Sequence, residues 1–168
     1  MSRIPRTAGL VLLGTLSSLL TSCTGPGPGA LDAAAIAAIQ HGVRDMASSI
    51  SRDVGREGPD AWLRYFVEGP EFFMASDGKL QFSNFGDADA VLRAFSRGVA
   101  HLELTWDAIR IDPLAPGLAA MASSYGEVFT DPKGHTTRFN GYFTGTAVET
   151  PSGWKLRDAH WSSLPPPH

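Results

Sequence analysis

The spacing of apolar positions divides the chain into a helical first half and a strand-rich second half. Ile36, Ile39, Val43, Met46, Ile50 and Val54 recur at steps of three and four residues, which predicts an amphipathic helix from Leu31 to about Val54 with one buried stripe. Ala33, Ala34, Ala35, Ala37 and Ala38 favour helix and let a neighbouring element approach closely. Gly55 and Gly58 end this segment. Pro59 suits the first position of a second, shorter helix, on which Trp62, Tyr65 and Phe66 share a face.

Residues 71–76 and 79–84 flank Asp77-Gly78, a dipeptide suited to a type I′ turn because both central residues need positive φ. A β-hairpin is expected there. Asp87 is the expected cap of a third helix, Ala88 to about Val99, with Val91, Leu92 and Phe95 as its buried side. From Leu102 onward the pattern is strand and turn. Strands are expected at 102–112, 118–130, 136–149 and from Trp154 to about Ser163, joined by short loops as an antiparallel meander.

Within 136–149 one face reads Phe139, Gly141, Phe143, Gly145, Ala147 and the other Arg138, Asn140, Tyr142, Thr144, Thr146. Glycines inside a strand mark a bend or a close backbone approach, so the first face is expected to be concave. For 118–130 the inward set is either Ala120, Ala122, Ser124, Gly126 or Met121, Ser123, Tyr125, Glu127, since a one-residue bulge exchanges the faces. In the last strand, strict alternation puts Trp154, Leu156, Asp158, His160 and Ser162 on one face. That face is apolar at its start and polar towards its end, as a pocket wall is.

Composition and charge add an address. Aromatic content of 10% and charged content of 18% fit one globular domain rather than a disordered chain. Arg3 and Arg6 precede an apolar run from Ala8 to Leu20, too short to span a bilayer but suited to a secretory signal. Leu20-Thr21-Ser22-Cys23 resembles the bacterial lipoprotein lipobox, whose cysteine is acylated and becomes the new N-terminus. The expected divisions are a signal peptide over 1–22, an acylated Cys23 with a Gly/Pro tether over 23–30, a domain over 31–163 and a proline-rich tail over 164–168.

Cys23 is the only cysteine, so an internal disulfide is excluded. Lipid attachment at Cys23 would hold the domain at the cell envelope, facing the periplasm or the exterior. Thr24, rather than aspartate, follows the cysteine and disfavours retention at an inner membrane. A formal charge of −3 argues against nucleic acid as a partner.

The order ααββαββββ, with Gly153-Trp154-Lys155-Leu156, His160-Trp161-Ser162, Gly141 and Thr144, resembles the SnoaL-like and ketosteroid isomerase-like group of the nuclear transport factor 2-like superfamily. The resemblance runs from about Ala33 to Ser163. It implies an α+β, cystatin-like cone in which a curved antiparallel sheet wraps around helices and leaves a pocket on its concave face. It also implies a homodimer paired through the outer face of the sheet.

His160 and Asp158 are the candidate acid/base pair, because imidazole titrates near neutral pH and a carboxylate favours its charged form. At i and i+2 they stand about 7 Å apart and would address one ligand rather than each other. Trp62, Tyr65, Phe66, Trp106, Phe139 and Phe143 are the apolar candidates for ligand binding. The carboxylate base and the tyrosine–carboxylic acid oxyanion hole of ketosteroid isomerases find no matching set: Tyr65 lies on the second helix, the first has no tyrosine, and nothing fixes Asp107 or Asp112 as the base. The five histidines are scattered without metal-ligand spacing, and no nucleophile elbow or phosphate loop is present. The expectation is therefore an envelope lipoprotein, with no metal or cofactor, that binds a small apolar molecule or an envelope protein. The alternatives are a cofactor-free isomerase, cyclase or dehydratase and a structural dimerisation module.

Overall fold

The computed structural model describes residues 31–164. The lipobox, Cys23, the tether and the end of the proline tail lie outside the described residues. The first helix, α1, runs Ala33–Glu57 and starts where Asp32 accepts a hydrogen bond from the Ala35 N–H at 2.7 Å. Its buried side contains Ile39, Val43, Met46, Ala47, Ile50 and Val54, the stripe expected from spacing with Ile36 left at its exposed edge. The Gly58 N–H closes the helix onto the Val54 carbonyl at 2.9 Å. Pro59 then opens a 3-10 helix, Pro59–Tyr65, in place of the expected second α-helix. Among the described residues, no helix is long and apolar enough to cross a membrane.

Strands β1 (Phe73–Ser76) and β2 (Lys79–Phe82) form the expected hairpin. Asp77 and Gly78 have φ of 47° and 80°, the left-handed pair that a type I′ turn requires. Helix α2 spans Phe85–Ser96 and starts earlier than its sequence pattern suggested. Its cap is Asn84, whose side chain accepts from the Asp87 N–H at 3.0 Å. Asp87 instead reaches back to the Ser83 N–H at 3.1 Å, so the two side chains satisfy donors on both sides of the helix start.

The long strands are β3 (His101–Ala115), β4 (Leu118–Thr130), β5 (Thr136–Thr150) and β6 (Gly153–Ser163). With the hairpin they form one curved six-stranded sheet in the order β2-β1-β6-β5-β4-β3. All neighbours are antiparallel except β1 and β6. Helix α1 lies across the concave side and shares one core with Leu102, Leu104, Met121 and Leu156 of β3, β4 and β6. Gly141 and Gly145 face the backbone carbonyls of Ser162 and Asp158 so closely that a Cβ at either would collide with them. Glycine at these two positions lets β5 and β6 approach at the bend.

Two of the sheet's four register shifts bear on the site. On β3 the pairing slips between Asp107 and Arg110, where Ala108 takes φ of 51°. On β6, Thr146 pairs with Asp158 but Ala147 pairs with Leu156, so Arg157 is an extra residue. Such a bulge turns the strand and exchanges the faces beyond it.

Candidate functional site

The bulge at Arg157 decides which β6 side chains reach the concave face. Trp154 and Leu156 point inward, as strict alternation predicts. Beyond Arg157 the inward set becomes Ala159, Trp161 and Ser163, while His160 and Ser162 are exposed. Asp158 is half-buried on the outer side, and its carboxylate accepts from the Thr146 backbone N–H at 3.1 Å. The expected His160/Asp158 pair therefore does not face the cavity.

On β4 the structure selects the second of the two sequence alternatives. Ala119, Met121, Ser123 and Tyr125 are buried, and Glu127 and Phe129 continue their face to the end of the strand. On β5 the inward set is Phe139, Gly141, Phe143, Gly145 and Ala147, as the glycine pattern indicated.

A cavity of about 580 Å³ lies between this concave face and α2, within the range of roughly 300–1,000 Å³ typical of small-molecule sites. Tyr125, Glu127 and Phe129 of β4, with Trp161 and Ser163 of β6, form its floor. Trp62 and Phe66 form one wall; Met74 and Phe82 of the hairpin form another. Val91, Leu92 and Phe95 of α2 roof it. These three were expected to be core, but Ala88 is the only buried residue of α2, and Val91 and Phe95 are 50% and 45% exposed. Phe95 meets Phe129 edge-on at 5.4 Å, and Phe129 meets Phe139 at 5.8 Å, which builds an aromatic rim.

Of the eight expected ligand-binding residues, the structure brings Trp62, Phe66 and Phe139 to this cavity. Phe143 is fully buried beneath it, 4.9 Å from the ring of Trp161 and 5.2 Å from that of Trp106. The Trp106 indole N–H donates to the Ala47 carbonyl at 2.9 Å, which ties β3 to α1. The Tyr65 hydroxyl donates to Asp53 at 2.6 Å, away from the cavity. These three are framework; Asp158 and His160 complete the set outside it.

Glu127 is the polar group that sequence reasoning did not single out. Among the described residues its carboxyl has no hydrogen-bond or ion-pair partner, and burial pushes its pKa up to about 7. A carboxyl group in apolar surroundings holds its proton because the charged form loses hydration. Nearby, the Tyr125 hydroxyl stands 3.4 Å from Ser163 Oγ, which donates to Asp77 at 3.1 Å. Burial raises the Tyr125 hydroxyl above its ordinary range. Backbone and hydroxyl donors from Ser163 hold Asp77 below the ordinary carboxylate range. At the rim, His135 Nδ1 lies 2.9 Å from Asp131, and hydrogen bonds from His135 hold Asp131 low as well. Among the described residues, no cluster of three or more His, Cys, Asp or Glu side chains is arranged to hold a metal ion.

Solved structures supply the comparison for this arrangement of sheet and helices. A nuclear transport factor 2-like superfamily protein from Salmonella enterica serovar Typhimurium superposes with a TM-score of 0.66 at 13% identity, over 79% of this chain and 95% of its own. The chain has the nuclear transport factor 2-like fold. A candidate scytalone dehydratase from Novosphingobium aromaticivorans matches with a TM-score of 0.66 at 13% identity, over 75% of this chain and 84% of its own. A cystatin-like protein from Caulobacter vibrioides matches at 0.60 and 16% identity, over 77% and 92%. No family model matches the sequence, and no curated protein matches it. On this fold, the concave sheet face supplies Glu127 and the helices supply the apolar cover.

Proposed function

We propose that the cavity under α2 binds a small, largely apolar molecule and that Glu127 orients it. The observation that carries this reading is a carboxyl without a protein partner, set in an aromatic cavity large enough for a ligand. A buried polar group left unpaired is costly, and a ligand hydroxyl or carbonyl would satisfy it. The test is native mass spectrometry of the purified protein. A bound small molecule that is lost in Glu127→Trp, a substitution that fills the cavity, supports the reading. A ligand that stays bound in a folded Glu127→Trp protein contradicts it.

A second reading is cofactor-free proton transfer, favoured by the position of the Glu127 pKa near 7. A carboxyl poised there serves as either acid or base at neutral pH. Tyr125, hydrogen-bonded through Ser163, would donate to an oxygen developing negative charge. The dehydratase assignment of a structural neighbour is compatible with such chemistry. Turnover lost in Glu127→Gln with ligand binding kept would favour this reading over simple binding.

The remaining proposals concern place and assembly. Acylation of Cys23 would hold the domain at the envelope, and substitution of Cys23 by Ala would abolish labelling by a fatty-acid analogue. The outer sheet face, with Arg138, Asn140, Tyr142 and Thr144 exposed, would pair two copies. Tyr142→Glu would then shift the protein to monomer in sedimentation.

A further inference from the structure

The sign of the charge around the cavity narrows the ligand class. Glu127 stands inside it, and Asp77 and Asp131 stand at its edge. Among the described lining residues there is no lysine or arginine. His135, the one other basic group on the lining, is engaged with Asp131 at 2.9 Å. Aromatic rings cover much of the remaining wall, and their faces carry partial negative charge. Trp62 of the 3-10 helix, Phe66 just after it, Phe129 of β4 and Trp161 of β6 contribute such rings.

We infer that the cavity selects a hydrophobic cation: an aromatic or alicyclic amine whose ammonium group pairs with Glu127 while its apolar body lies among the rings. This inference rests on the proposed role of the cavity as a binding site and names the chemistry of its occupant. Each alternative fits less well. An anionic ligand would meet three carboxyl groups with no lysine or arginine to offset them, in a setting where water screens little. A neutral ligand can pair with Glu127 through a hydrogen bond but offsets none of the negative charge at Asp77 and Asp131. An ammonium group gains both the carboxylate and the cation–π attraction of the rings.

A consequence concerns protons. Glu127 holds its proton near neutrality through burial, so a cation that favours the carboxylate expels that proton to the buffer. The other groups facing the cavity are Asp77 on the hairpin turn, Tyr125 on β4, and Asp131 and His135 on the β4–β5 turn. Asp77 and Asp131 are held ionised by their own donors, and Tyr125 is held protonated. Release that disappears in Glu127→Gln is the proton of Glu127.

The experiment is isothermal titration calorimetry of the purified protein with three matched probes: 1-naphthylmethylamine, 1-naphthalenemethanol and 1-naphthoate. The amine is expected to bind about tenfold more tightly than the alcohol at pH 8, with the carboxylate weakest. At pH 6 the amine should release close to one proton per ligand, read from buffers of different ionisation enthalpy, and in Glu127→Gln amine and alcohol should bind within about threefold of each other. Circular dichroism confirms that the variant is folded. An alcohol that binds as tightly as the amine overturns the cationic ligand while the binding site stands. An amine preference that survives Glu127→Gln also overturns it. Failure of all three probes removes the binding site and this inference together.

Discussion

The carboxylate of Asp158 accepts a hydrogen bond from the backbone N–H of Thr146 at 3.1 Å, next to the bulge at Arg157. The bond lies beside the bulge at which β6 changes faces, beyond which Trp161 rather than His160 reaches the cavity. Asp158→Ala removes one charge-assisted bond from a half-buried group, with an expected loss of about 1 kcal/mol. Chemical denaturation measures it, and cavity ligands should bind the variant as before because Asp158 lies outside the site.

Glu127 imposes a pH-dependent cost on folding. Its folded pKa of about 7 stands above the ordinary 4.5, so between these values the unfolded chain ionises while the folded chain stays protonated. Stability therefore falls as pH rises through that window and levels off above it. Glu127→Gln should leave stability unchanged at pH 4 and raise it at pH 8 by about 2 kcal/mol, after allowance for partial solvent access. Thermal unfolding at the two pH values reads the difference.

Asp53 behaves in the opposite sense. Its carboxyl is lowered from the ordinary 3.8 to about 2, with the hydrogen bond from Tyr65 as the largest cause and those from Arg64 and Arg52 behind it. Its contribution to stability is complete above the ordinary value and disappears as pH falls through the folded one. The contact also binds the 3-10 helix to α1. Tyr65→Phe should cost about 1–2 kcal/mol at neutral pH and move acid unfolding to higher pH, as circular dichroism during an acid titration would show.

The sequence made the fold legible where one local rule governed each element. The stripe from Ile39 to Val54, the Asp77-Gly78 turn and the glycines of β5 each have one low-energy solution, and the structure adopts it. The candidate site was less legible because it depends on register. One extra residue at Arg157 moved Asp158, His160 and Ser162 to the outside, and nothing in a strict alternation marks it. The signal was compositional: past Arg157, Ala159 and Trp161 are the apolar positions, whereas Asp158, His160 and Ser162 are all polar. Glu127 was visible as one of two alternatives, alternating with Tyr125 and Phe129. Its chemistry followed only once the cavity under α2 was apparent. Val91 and Phe95 looked like core because helical spacing records an apolar face without saying whether protein or a ligand covers it.

The most direct test follows the Glu127 carboxyl carbon by carbon-13 NMR across pH, with and without saturating 1-naphthalenemethanol. A titration midpoint near 7 that moves when the probe binds is the predicted result. A midpoint in the ordinary glutamate range, indifferent to the probe, would contradict it.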